Sequence, residues 1–203
     1  MTAPILYTNP RSRGMTAHFM LEELGIAYET RILGFDGDLQ TPEYRAINPM
    51  GKLPALVHGD QTITETAAIC AYLADAFPEV GLCPEPQERG AYYRWLFFGA
   101  GCLEPMIFNK MLGVEPTTEQ VAQVGYGNEQ RVVDTLEHAL TGTDYLCGPR
   151  FTAADVYVGM SVAWVLQFKM LEPRRAFIAY LKRVSSRPAF QKVMAPLQDG
   201  SGS

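Results

Sequence analysis

The stretch that most constrains this chain is Gly51-Lys52-Leu53-Pro54-Ala55-Leu56-Val57, followed shortly by Thr64-Glu65-Thr66. Proline has no N–H to give a ladder, so within sheets it stands at a strand's start or on an edge. A proline directly before a short apolar strand therefore marks a tight turn, which a cis Leu53–Pro54 bond would fix. Such a turn holds the Leu53 N–H and C=O out of the sheet, open to pairing with an extended peptide. The rest of the chain reads as support for that edge.

Ile5-Leu6-Tyr7 reads as a strand closed by Thr8-Asn9-Pro10. Ala17, Met20, Leu21 and Leu24 recur at i, i+3, i+4 and i+7, a helix that stops at Gly25. Ile26, Tyr28 and Ile32 alternate with Ala27, Glu29 and Arg31 as a second strand. The crossover helix makes these two strands parallel. Residues 33–50 are polar and broken by Pro42 and Pro49, a loop with a short irregular helix. Ala55 to Val57 and Gln61 to Ile63 flank Gly59-Asp60 as an antiparallel hairpin. From Glu65 a helix sets Ile69, Tyr72, Leu73 and Ala76 on one face, and Pro78 ends it. This βαβ-ββα order is that of an α/β, thioredoxin-like domain over residues 1–79.

Residues 80–86 hold a glycine and two prolines and read as a linker. Residues 87–203 read as an all-α domain. A first long pattern runs from Glu88 to Leu112, with Tyr92, Trp95, Leu96, Gly99 and Leu103 inward. A second runs from Thr118 to Leu140, with Val133, Leu136 and Leu140 inward. A third opens at Phe151-Thr152-Ala153-Ala154-Asp155, where Thr152 is an N-cap, Asp155 lies three residues on, and Phe151 and Val156 form a staple. Val156, Met160 and Ala163 form its buried stripe. A last helix spans roughly Arg174 to Val184, and Gly200-Ser201-Gly202-Ser203 is set aside as a tail.

Composition narrows the function classes. Of 203 residues, 47% are hydrophobic and 19% charged, which suits a folded chain rather than a disordered one. A net charge of −5, with 17 scattered basic residues, gives no nucleic-acid surface. No apolar run reaches the roughly 18 residues of a membrane helix, and no secretory pattern opens the chain, so a cytoplasmic location is expected. The four cysteines show no CxxC spacing and are expected to be reduced. Gly99-Ala100-Gly101 lacks the third glycine of a dinucleotide loop, and Gly51-Lys52 lacks the upstream glycine of a P-loop. Gly159-Met160-Ser161 falls mid-helix, away from any nucleophile elbow. His18, His58 and His138 are too scattered to suggest a metal.

Four segments together resemble the soluble glutathione transferases: Pro4-Ile5-Leu6-Tyr7 with Pro10-Arg11-Ser12-Arg13-Gly14, Asn48 to Leu56, Thr64-Glu65-Thr66, and Thr152-Ala153-Ala154-Asp155. The likeness spans nearly the whole chain in the family's order. It implies that the backbone of Leu53, before Pro54, pairs with the cysteinyl unit of glutathione. It implies also that Glu65 takes the γ-glutamyl ammonium, while Thr66 meets the α-carboxylate at a helix N-terminus. Lys52, with Arg11 or Arg13, is expected at the glycyl carboxylate. The bland alternative makes Thr64 a cap, Glu65 a dipole partner and Lys52 a solvated charge.

The resemblance leaves two candidates for thiol activation, Ser12 at the start of the first helix and Tyr7 at the end of the first strand. Ser12 is the first choice. The alternative is that Ser12 caps a helix and Tyr7 is core. No cysteine lies between Thr8 and Gly14, which argues against a dithiol reductase. The implied reaction is attack of the ionised thiol of glutathione on a hydrophobic electrophile. Tyr92, Phe98, Cys102, Met106 and Trp164 are candidates for the electrophile pocket, expected between the two domains. A homodimer is implied. The rival readings are a non-catalytic glutathione- or ligand-binding relative and a glutathione-dependent disulfide or peroxide reductase.

Overall fold

The structure, a computed structural model, describes residues 2–198, so the Gly200–Ser203 tail lies outside the described residues. The chain forms two compact units: one runs to Val80 and takes in the segment from Ser186, the other is Gly81–Ser185.

The first unit is built on a four-stranded sheet. Strand β1 (Ile5–Thr8) pairs parallel with β2 (Glu29–Ile32) and antiparallel with β3 (Ala55–His58), which pairs antiparallel with β4 (Gln61–Thr64). Helix α1 (Gly14–Leu24) ends where Gly25 turns left-handed at φ 64°. Ala17, Met20, Leu21 and Leu24 on α1 are buried, as are Ile69 and Leu73 on α3 (Thr66–Ala76). Leu6 and Leu56 are buried in the strands between. The alternation of β1 sends Tyr7 into a separate cluster with Leu39, Tyr44 and Ala55, beside the short helix α2 (Pro42–Ile47).

Two features of this unit differ from the sequence reading. Strand β2 starts at Glu29 rather than Ile26, and all four of its residues are exposed, because it is an edge strand paired only with β1. Tyr28 instead sends its hydroxyl to Glu22 and its ring edge-on to His18. The second difference is a helix, α9 (Pro188–Gln198), that the periodicity did not reveal. It packs on α1 through Phe190 against Phe19, with ring centroids 5.4 Å apart. Arg187 just before it grips Glu23 with two nitrogens, at 2.6 and 2.5 Å. Lys192 reaches Glu22 at 2.7 Å.

The second unit is helical. The long pattern from Glu88 is split into α4 (Arg89–Phe98), a π-helical turn (Gly99–Leu103) and α5 (Glu104–Met111). Pro105 has no N–H for the carbonyl four residues back, and a wider turn accommodates that loss. Gly99 lets the helix come close to Tyr157, whose ring carbon would stand 2.6 Å from any Cβ there. Helix α6 (Glu129–Leu140) starts later than Thr118, after Gly127 at φ 72°, and Asn128 caps it by accepting the Arg131 N–H at 3.0 Å. Helices α7 (Ala153–Gln167) and α8 (Arg175–Ser185) follow. Asp155, fully buried at the start of α7, accepts from Thr152 N–H and Leu146 N–H at 2.9 Å each and from Thr152 Oγ1 and Tyr180 Oη at 3.0 and 3.1 Å. Each donor left unpaired there would cost about 1–3 kcal/mol.

Candidate functional site

The ladder register pairs Tyr7 with Ala55 and Ala55 with Thr64. The exit of β1, the entry to β3 and the exit of β4 therefore lie at one end of the sheet. The Ser12 turn, the Leu53–Pro54 dipeptide and Glu65–Thr66 all issue from that end.

The Leu53–Pro54 bond is cis. Leu53 is half-buried, and neither its N–H nor its C=O has a hydrogen-bond partner among the described residues. The preceding carbonyl, that of Lys52, is held twice: Tyr44 Oη donates to it at 2.6 Å and Asn48 Nδ2 at 2.8 Å. Asn48 also accepts the Met50 N–H on Oδ1 at 3.1 Å and the Gly51 N–H on its carbonyl at 2.8 Å. Gly51 sits at φ 59°, and a Cβ there would meet the Leu39 carbonyl at 2.8 Å, so the turn requires glycine. Burial pushes the Tyr44 hydroxyl up to about 12, which keeps it a donor at neutral pH.

Glu65 adopts φ 64° and ψ 118°, a left-handed conformation for a residue with a Cβ. Such a residue costs about 1–3 kcal/mol and persists where surrounding structure or function enforces it. Its carbonyl accepts the Ile69 N–H at 2.9 Å, so the Thr66, Ala67 and Ala68 amides open α3 with no helical acceptor. The Glu65 carboxylate and the Lys52 amine are exposed, and neither forms an ion pair among the described residues. Arg11 is exposed with its guanidinium 6.0 Å from the Phe35 ring centre, and Arg13 is half-buried at the start of α1.

The two activation candidates part company. Ser12 lies in the turn before α1, donating its hydroxyl proton to the Asn9 carbonyl at 2.7 Å and accepting the Gly14 N–H at 3.0 Å. Tyr7 is only 8% exposed and accepts from Arg31 at 3.2 Å, with the guanidinium 5.6 Å from its ring centre. It lines a groove of about 360 Å³ with Arg31, Leu33 and Tyr44. Ser12 thus faces the turn that leaves the sheet, and Tyr7 the cluster beneath α2.

The five pocket candidates all fall within the helical unit. Tyr92 is fully buried, while Phe98 packs edge-on against Trp95 and Trp164 against Phe168. Cys102 sits 3.9 Å from the Gly125 carbonyl, and burial raises its thiol. Met106 lines a cavity of about 320 Å³ with Lys110, Val114, Pro116, Tyr126 and Glu129. Among the described residues no group of three His, Cys, Asp or Glu side chains could hold a metal, and no helix is long and apolar enough to cross a membrane.

The sequence reading assigned no role to Asn9, Tyr44 or Asn48, yet these buried polar side chains shape both turns. Asn9 Nδ2 donates to the Leu33 carbonyl at 2.8 Å, while its Oδ1 accepts the Arg11 N–H at 2.9 Å. The available signal was an asparagine directly before a proline, twice, at the ends of elements.

Comparison with known proteins gives the same picture along the chain. Residues 13–76 match the family described as "Glutathione S-transferase, N-terminal domain", and residues 102–188 match "Glutathione S-transferase, C-terminal domain". Glutathione S-transferase F10 of Arabidopsis thaliana is 30% identical over 191 residues, covering 86% of this chain and 88% of that protein. A glutathione transferase structure from Methylococcus capsulatus superposes with TM-score 0.76 at 30% identity, over 95% of this chain and 98% of that one. A theta class glutathione S-transferase from Xanthomonas axonopodis pv. citri, solved with glutathione bound, gives 0.76 at 29%, over 95% and 97%. With both halves matched in order and the fold shared, the chain belongs to the glutathione S-transferase family.

Proposed function

We propose that this protein is a glutathione transferase: it binds glutathione at the sheet end bearing Leu53 and presents its thiolate to a hydrophobic electrophile. The observation that carries the reading is the Leu53 backbone edge, with both polar groups left unpaired beside a site of opposite charges. Those groups suit the cysteinyl unit of an extended tripeptide, paired as one more strand. Glu65 suits the ammonium, and the three open amides of α3 suit the α-carboxylate. Lys52 and Arg11 suit the glycyl carboxylate. Ser12 is the residue we assign to the thiolate.

The electrophile is a small hydrophobic compound, and Met106 with its cavity is the candidate contact among the five. A homodimer is supported by Tyr93 and Phe97, adjacent on one face of α4, of which Phe97 is 74% exposed. A large apolar residue so exposed favours burial against a second copy. Four cysteines, none of them in a disulfide among the described residues, suit a reducing, cytoplasmic setting.

One observation favours the binding-only alternative: the Ser12 proton already has an acceptor in Asn9. Turnover separates the two. Retention on immobilised glutathione together with conjugation of an activated aryl halide supports the transferase. Retention without turnover leaves a ligand-binding relative, and no retention removes the reading.

A further inference from the structure

We propose that Tyr44 and Asn48 are positioning residues that aim the Leu53 N–H at the bound peptide. The inference rests on the glutathione site proposed above and deepens it. The Lys52–Leu53 peptide is trans and planar, so its carbonyl and its N–H point to opposite sides of the chain. Two buried donors draw the carbonyl inward, Tyr44 Oη at 2.6 Å and Asn48 Nδ2 at 2.8 Å. Each residue is only 3% exposed. With both carbonyl lone pairs occupied, the N–H on the far side of the same plane has one direction left, and in that direction it finds no acceptor among the described residues.

The clamp decides the sign of what the ligand meets. Rotation of this peptide unit about its flanking bonds would exchange the two groups, presenting a carbonyl oxygen where the ligand's own carbonyl needs a donor. Neither Tyr44 nor Asn48 needs to touch glutathione. They act through the orientation of a backbone group that does.

The test uses the full chain with Tyr44→Phe, Asn48→Asp and the double variant. Tyr44→Phe keeps the ring, and Asn48→Asp keeps the acceptor for Met50 N–H while removing the donor. Glutathione binding is read by calorimetry, and kinetics are read against glutathione and an aryl halide separately. Loss of one donor leaves the other, so each single change should weaken glutathione binding by about threefold to tenfold. The double change should weaken it by more than the product, since the two donors share one acceptor. The loss should fall on the KM for glutathione, not on the KM for the aryl halide or on kcat. A merely structural role would instead lower the melting temperature with the glutathione affinity unmoved, and that result overturns the inference. If the double variant does not fold, unchanged affinity in Tyr44→Phe alone overturns it. A wild-type chain that fails to bind glutathione removes the underlying site, an outcome distinct from unaffected variants of a wild type that binds.

Discussion

The Ser12 hydroxyl donates its one proton to the Asn9 carbonyl, 2.7 Å away. A thiolate at this site therefore competes with a partner already in place. Exchanging a neutral acceptor, at about 0.5–1.5 kcal/mol, for a charged one, at about 1.5–3, gains only the difference, about 1–1.5 kcal/mol. The N-terminus of α1 adds about 0.3–1 kcal/mol. At about 1.36 kcal/mol per unit these lower the thiol by between one and two units, from about 8.5 to about 7. The ultraviolet thiolate band of bound glutathione should titrate there, and about one unit higher in Ser12→Ala. Tyr7→Phe should leave it unmoved, because the Tyr7 side chain packs in the cluster with Leu39 and Tyr44 beside α2 rather than at the turn that carries Ser12. A Ser12→Ala titration that matches wild type contradicts the assignment.

Glu65 holds a left-handed backbone, and its side chain is assigned to the ligand. Those two roles separate by substitution. Glu65→Ala keeps the strain and loses the carboxylate, whereas Glu65→Gly loses both. Glycine at this φ relieves about 1–2 kcal/mol against about 0.5–1 kcal/mol of added unfolded-chain freedom. Denaturant unfolding should find Glu65→Gly at least as stable as Glu65→Ala, with glutathione affinity reduced in both. Glu65→Ala being clearly the more stable of the two would show the conformation to be unstrained.

The packing of α9 on α1 should loosen in acid. His18 faces Glu22 at 3.7 Å, the Tyr28 ring and, across the contact, Lys192. Burial lowers its pKa below 6.5, Glu22 opposing and Lys192 assisting. A lowered folded value means the unfolded chain takes the proton first, so stability is full above 6.5 and falls as pH drops through the folded value. Glu22 works in the same direction lower down. Burial alone would raise its carboxyl, but bonds from Lys192 and Tyr28 outweigh that and hold it below 4.5. Its contribution is present above that value and lost beneath it. The melting temperature should decline on acidification from 6.5, and His18→Gln should flatten the first part of the decline. An unchanged slope in His18→Gln contradicts the account.

What could be read from the sequence was local. The α1 stripe of Ala17, Met20, Leu21 and Leu24, the β3–β4 hairpin around Gly59-Asp60 and the cis bond at Pro54 each depend on neighbouring residues, and periodicity or a proline announces them. Helix α9 was hidden because its partner face on α1 is distant in sequence and its pattern is broken by two prolines, Pro188 and Pro196. The late start of α6 and the π-helical turn before Pro105 reflect backbone constraints at Gly127 and Pro105 that apolar spacing ignores. At the site, motif residues such as Leu53 and Glu65 were visible. The Asn9 acceptor that occupies Ser12, and the Tyr44–Asn48 clamp on Lys52, were not, because a hydrogen bond made by a folded-back turn leaves no spacing to count.

The Leu53 edge is the proposed seat of glutathione, and every other assignment at the site is placed relative to it. Backbone amide resonances of an isotopically labelled chain, followed as glutathione is added, test it most directly. The Leu53, Thr66 and Ala67 amides should shift together and saturate at one concentration, that of the calorimetric Kd. If glutathione binds while those three amides stay still and others move, the ligand sits elsewhere and the proposed site is wrong.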